Sequence, residues 1–375
     1  MLLLLNLKRF FILSLICAFS CDVYSQLLIN EVLASNISVN RDPIYNNYGD
    51  WIEIYNGGSE DVNLNNFYLS DDANDPTQYQ IQGSELIIKS REYKLIWMNG
   101  NRVSDGHIYT NFSISGDGEF ISLYDDQQTL IDSVSFAEQI GDVSYGRESV
   151  GSDRWAYFQT PTPELGNEGL YSTGLNRVSS VEFSMKSGFY ESGISVSLSC
   201  DDASADIYYT LNGDIPTDTS QLYVSAIVIS DTQVIRARAF SDKKLSSPIS
   251  TSTYFIGVDA QIPIVSISTN RGNFYDDEYG IYVAGTNGQT GRCTSVPVNW
   301  NRNWERNLNF EYFDSNGERV INQLVGTKIS GGCSRKNRYK SLGLYARSKY
   351  GKESMDYDFF PDQPNNSYKA QGKRI

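Results

Sequence analysis

One histidine and five cysteines in 375 residues leave several chemistries without their usual side chains. A Ser-His-Asp hydrolase or a histidine-rich metal centre would rest on His107 alone, in a loop stretch beside Gly106, so neither is expected. Cys17 and Cys21 fall in the N-terminal apolar region, and the remaining Cys200, Cys293 and Cys333 are too few for a dense disulfide scaffold. No stretch approaches the roughly 18 uncharged apolar residues that a membrane-crossing helix needs, so no transmembrane segment is expected. Positive charge is also in deficit: 31 Lys and Arg against 45 Asp and Glu give a net charge of −14, which argues against nucleic acid as a partner. The deficit is uneven, because residues 301–375 hold fourteen Lys and Arg against eight Asp and Glu.

Aromatic residues are plentiful. They reach 13%, with 26 tyrosines, a bias toward strands over helices. The N-terminus has the pattern of an export signal: Lys8 and Arg9, the apolar run Phe10–Phe19, and Val23-Tyr24-Ser25 before Gln26. This predicts a signal peptide over residues 1–25 and a secreted or cell-surface product. Cys21 after Ala18-Phe19-Ser20 offers a competing lipoprotein-type processing point, with Phe19 a poor fit to it.

From Leu27 to Asn167, short runs alternate apolar and polar residues between turn signals, as in Trp51-Ile52-Glu53-Ile54-Tyr55 before Asn56-Gly57-Gly58. Several short antiparallel strands imply a sandwich. The segments Ile29-Asn30-Glu31-Val32, Gly49 to Gly58, Leu64 to Asp71, Gly116 to Asp125 and the exit Thr160 to Asn167 resemble the lamin-tail domain family. The resemblance implies an immunoglobulin-like sandwich over 27–167 with no active site, acting as an accessory or binding unit. Pro161, Pro163, Gly166 and Gly169 then lead into a linker over 168–179.

A second β pattern fills 180–256, including Asp206-Ile207-Tyr208-Tyr209-Thr210 and Val234 to Phe240. With the turn Asn212 to Thr217 it resembles the small sandwich domain at the C-terminus of chitobiase and hexosaminidase proteins. Asn212-Gly213 has the chemistry of a two-residue hairpin turn, and Pro216 keeps the next segment from pairing at once. The signature is structural, and the resemblance is to the non-catalytic domain, so no glycosidase is proposed.

From residue 262 on, Pro263 to Thr269 begins a strand, and Asn303 to Asp314 gives two strand-like stretches about a polar centre. The turn Ser315-Asn316-Gly317 then predicts a hairpin return through Val320. Lys328 to Arg335, Lys340 to Arg347 and Phe359 to Asp362 follow. In this order the segments resemble the spore-coat protein H (CotH) kinase-like family, and the resemblance implies an incomplete α+β kinase-like N-terminal lobe over 262–375. Gly331-Gly332 followed by Ser334, Arg335 and Lys340 can bring backbone N–H groups and cations round a phosphate. The resemblance makes Lys340 the phosphate-contacting lysine, with Arg335, Ser334 and Gly332 beside it, and implies ATP and Mg2+ as cofactors of a complete domain. A solvated basic hairpin is the competing reading. The chain stops before the carboxylates that phosphoryl transfer needs, so the expectation is a fragment or frameshifted copy that is inactive by itself.

Three smaller readings complete the sequence. Cys293 and Cys333 form a disulfide in an oxidising compartment or remain two buried thiols. Asp71, Asp72, Asn74 and Asp75 lack the calcium-loop spacing and read as turn polarity. Trp155, Tyr157 and Phe158 either stack on sugars or fill a core. Together these predict a mostly β protein, two Ig-like sandwiches in tandem before a third unit, with a polysaccharide or extracellular protein as partner.

Overall fold

The computed structural model describes residues 27–83, 86–98, 100, 106–242 and 244–359. The export signal over 1–25 and the tail beyond Phe359 lie outside the described residues. The molecule is mostly β, in several sheets, consistent with two sandwiches in tandem.

The first unit places a seven-stranded sheet over a four-stranded one. The larger sheet runs in the order Tyr171–Ser172, Trp155–Phe158, Ser144–Arg147, Leu27–Leu33, Trp51–Asn56, Tyr93–Trp97 and Ile108–Tyr109, and only the last pair is parallel. The smaller runs Leu130–Ala137, Gly118–Tyr124, Tyr68–Ser70, Tyr79–Gln80. Alternation decides the faces: Ile52 and Ile54 enter the core between the sheets with Ile29, Leu69, Ile96 and Ile121. Trp51 and Trp97 enter a second cluster on the far side, with Leu33, Leu95 and Tyr109, against which Ile44 and Tyr45 pack. The central strand Trp51–Asn56 is therefore buried on both faces. Tyr157 and Phe158 are buried, and Trp155 stacks on Tyr145 at 5.2 Å, so this aromatic strand packs within the fold.

In the second unit, a five-stranded sheet runs Gly188–Tyr190, Ser250–Ile256, Gln233–Phe240, Asp206–Thr210, Gln221–Leu222. The pairs Glu182–Phe183 with Leu198–Ser199 and Ile194–Val196 with Ile227–Ile229 close the other side of a core that holds Ile235, Ala237, Ala239 and Tyr254. The tight hairpin expected at Asn212-Gly213 does not form. Asp206–Thr210 pairs with Gln221–Leu222 and Gln233–Phe240, which makes Leu211 to Ser220 a longer loop. Only Gly213 of the two takes a positive φ, +87°, while the Asn212 side chain accepts from Asp214 N at 3.1 Å. The local turn chemistry is satisfied as an Asx turn inside a loop that the third unit then holds.

The third unit is a four-stranded antiparallel sheet in the order Ile264–Ser268, Arg306–Phe313, Arg319–Ser330, Ser341–Tyr345, with a separate hairpin Gln289–Gly291/Thr294–Val298. Its one α-helical piece among the described residues is the single turn Gly272–Tyr275. The stretch expected to split about a polar centre is one continuous strand, Arg306–Phe313, buried along its whole length. Its apolar residues Leu308, Phe310 and Tyr312 enter the unit's core, while Asn307, Asn309 and Glu311 are buried on the other face. Neighbouring units cover that face, which is why polar residues alternate through a buried strand.

All three units touch. Val143 and Tyr157 of the first pack on Leu245 of the second. Phe189 and Phe255 of the second stack at 4.7 Å and meet Phe313 of the third edge-on. Trp304 Nε1 of the third donates to Tyr45 O of the first at 2.6 Å, and Arg306 NH2 to Asn46 O at 2.9 Å.

Candidate functional site

The residues singled out as a phosphate cradle lie in one turn of the third unit. Gly331, at φ +98°, and Gly332 lead into the short 3-10 turn Cys333–Lys336. Cys333 is disulfide-bonded to Cys293, with Cα atoms 5.1 Å apart, so the turn is tied to the separate hairpin. The cations of this turn are engaged with its own walls. Arg335 donates from Nε to Gly331 O at 2.7 Å and from NH1 to Trp300 O at 3.3 Å. Lys340 Nζ donates to Asn337 O at 2.8 Å and sits 4.0 Å from the Trp300 ring centroid and 5.3 Å from that of Tyr282. Partial burial against these rings lowers the Lys340 pKa. Ser334 and Gly332 are exposed. The donors of this turn point to its own carbonyls and rings, an arrangement that stiffens the turn and does not fit a triphosphate with its metal. Among the described residues, no group of three or more His, Cys, Asp and Glu is placed to hold a metal ion. Asp72 and Asp75 spend Oδ1 on their own loop, accepting from Asn74 N at 2.8 Å and Thr77 N at 3.0 Å.

Two polar clusters were not foreseen from sequence. The first joins the strands Leu27–Leu33 and Trp51–Asn56, where Glu31 and Glu53 are cross-strand neighbours and fully buried. Glu31 accepts from Ser144 Oγ and from Thr162 Oγ1 at 3.2 Å, while Glu53 accepts from Asn30 Nδ2 at 2.9 Å and from Glu164 N. Asn167 Nδ2 donates to Arg147 O at 2.8 Å and to Asn30 O at 3.1 Å. The exit segment thus folds back over the carboxyl pair. Burial pushes Glu31 up to about 7. Burial, then the nearby Glu31 charge, pushes Glu53 up to about 9. The signal for this cluster was present: Trp51, Glu53 and Tyr55 share a face, and a face carrying Trp and Tyr is a covered one.

The second cluster lies where the three units meet round a cavity of about 990 Å³. Arg236 and Arg238, from Gln233–Phe240, and Arg177, from the segment leading into the second unit, all line it. In the sequence Val234 to Phe240 the two arginines alternate with Ile235, Ala237 and Ala239, the pattern of a solvated face. Arg236 is nevertheless 1% exposed because the neighbouring units cover it.

Fold and site together define a class: a mostly β, multi-unit protein whose distinctive geometry lies at the contacts between units. Residues 22–138 match the family model for the Lamin Tail Domain, and residues 185–251 match that for the Chitobiase/beta-hexosaminidase C-terminal domain. The chain therefore carries both domain types, and neither match extends into the third unit. No curated protein matches the chain. No described helix is long and apolar enough to cross a membrane.

Proposed function

We propose that the chain is an exported cell-surface or extracellular protein in which the two sandwiches act as a fixed binding and spacer platform for the third unit. The observation that supports this reading most is the closed set of contacts among the units. The strand Arg306–Phe313 carries it: Arg306 reaches Asn46 O in the first unit, and Glu311 accepts from Thr253 Oγ1 in the second. Buried polar contacts on both sides of one strand favour a single orientation over a string of beads, because each leaves a polar group stranded if the units part. Export is supported by the pattern of Lys8 to Gln26.

Solution scattering of the purified chain tests the platform: a compact profile that stays unchanged with salt is expected, and an extended, multi-state profile would overturn it. Protease treatment of intact cells tests the location, with cleavage of the chain expected and protection counting against it. The likeness of the third unit to a CotH-type lobe, with ATP and Mg2+ as cofactors, is the lesser reading, since Lys340 and Arg335 are already engaged within their turn. A calorimetric titration with Mg-ATP separates the two: no heat is expected under the platform reading.

A further inference from the structure

We propose that the cavity at the junction of the three units binds an acidic oligosaccharide, with a sugar carboxylate seated among Arg177, Arg236 and Arg238. The proposal rests on the fixed arrangement of units argued above and adds the ligand class. The cavity's volume, about 990 Å³, lies at the upper end of the roughly 300–1,000 Å³ usual for ligand clefts.

The three guanidiniums are the reason for an anion. Arg177 Nε donates to Ser246 O at 2.9 Å, Arg238 Nε to Ser247 O at 3.1 Å, and Arg236 NH1 to Gly213 O at 2.8 Å. Each thus holds one backbone carbonyl, and none forms an ion pair among the described residues. Arg236 Nε is buried without any partner. Burial lowers Arg238 to about 10, with the like charges of Arg177 and Arg236 adding to the fall and Asp142 opposing it. Asp142, whose charge acts on Arg238 without a direct ion pair, is held by Ile37 N, Ser38 N and Ser38 Oγ, and Asp50 by Asn36 N. Three guanidiniums gathered without a direct ion pair leave N–H groups for an anion, and the planar guanidinium fork suits a carboxylate.

The rest of the lining narrows the ligand. Asn307, Asn309 and Asn322 lie along one wall, where Asn309 Nδ2 donates to Asn322 Oδ1 at 2.9 Å and Asn322 Nδ2 to Thr251 O at 3.1 Å, polar groups suited to hydroxyls. Asp117, Glu138, Glu182 and Glu353 stand exposed about the rim and oppose a multiply charged ligand such as a phosphate or sulfated chain. Many hydroxyls and a single negative charge describe a neutral oligosaccharide that bears one uronic acid.

Calorimetry of the full chain with glucuronosyl-xylotriose, which carries a single carboxylate, its neutral methyl ester and inorganic phosphate provides the test. The acid is expected to bind, with the ester and phosphate roughly tenfold weaker or worse, the factor expected from losing a charge-assisted hydrogen bond. Arg177→Gln with Arg238→Gln should weaken the acid by about the same factor without altering the scattering profile. Equal binding of the ester or of phosphate, no binding of the acid at millimolar concentration, or an unaffected double variant that remains folded would each overturn the proposal. Wild-type discrimination between acid and ester decides the matter if the variant fails to fold. A compact scattering profile without acid binding would sink this inference while leaving the platform standing.

Discussion

Glu53 shows how a single side chain couples the first unit to pH. Its carboxyl lies fully buried beside Glu31, and both pKa values are raised, to about 9 and about 7. A raised carboxyl pKa means that the folded state holds its proton more tightly than the unfolded chain does. The stabilising contribution is therefore complete below the unfolded value of 4.5 and is lost as pH rises through about 7 for Glu31 and about 9 for Glu53. Thermal unfolding should show a melting temperature that declines from pH 5 to pH 9. Glu53→Gln cannot titrate, but its amide supplies one acceptor where Glu53 uses two, for Asn30 Nδ2 and Glu164 N. The variant should be less stable than wild type by about 1 kcal/mol at pH 5 and show a shallower decline above pH 7. An unchanged slope would mean that Glu53 is not the titrating group.

At the scale of elements, the loop Leu211 to Ser220 and the hairpin Gln289 to Val298 carry contacts between distant segments. Gly213 takes φ +87°, and a Cβ there would stand 3.2 Å from Thr269 O. Ile215 N donates to Asn270 Oδ1 at 2.8 Å, so the loop is held by the third unit. Gly213→Ala combines left-handed strain with this close approach and should cost about 1–2 kcal/mol in chemical denaturation, whereas Gly174→Ala, with open space round it, should cost less. The Cys293–Cys333 bridge closes a segment of 40 residues. Its removal in Cys293→Ser with Cys333→Ser should lower stability by roughly 3 kcal/mol under non-reducing conditions, with little further change on adding reductant. Strands of this kind were legible wherever one face met a core and the other did not, as in Asp206–Thr210, where Ile207 and Tyr209 are buried and Asp206 is exposed. They were misread where a neighbouring unit covered the polar face. Arg306 to Phe313 looked broken because Asn307, Asn309 and Glu311 alternate with its apolar residues. Local turn preference misled at Asn212-Gly213, where contacts with the third unit fix a longer loop. Nothing in the spacing of Lys340 or Arg335 told that Trp300 would occupy both.

For the whole molecule, the balance between one body and separate units turns on Glu311. Its side chain has 0% exposure, accepts from Arg319 NH1 at 2.8 Å, and faces Thr253 of the second unit. Arg319 NH1 also donates to Thr251 O at 3.1 Å, so the same guanidinium neutralises the carboxylate and crosses the boundary. Arg319→Ala strands a buried charge, a loss on the order of 3 kcal/mol. Burial already raises the Glu311 pKa, and removing the cation raises it further, so the variant regains part of its stability when the carboxyl is protonated. The deficit relative to wild type should therefore be smaller at pH 5 than at pH 8. The third unit should part from the second before either sandwich unfolds, because their cores are separate. Limited proteolysis would then cut the exposed connection Gly257 to Pro263 faster in the variant at pH 8, with the difference narrowing at pH 5. Equal cutting rates at both pH values would show that the units are held by their apolar contacts at Phe189, Phe255 and Phe313 alone, with the buried ion pair contributing orientation but no measurable cohesion.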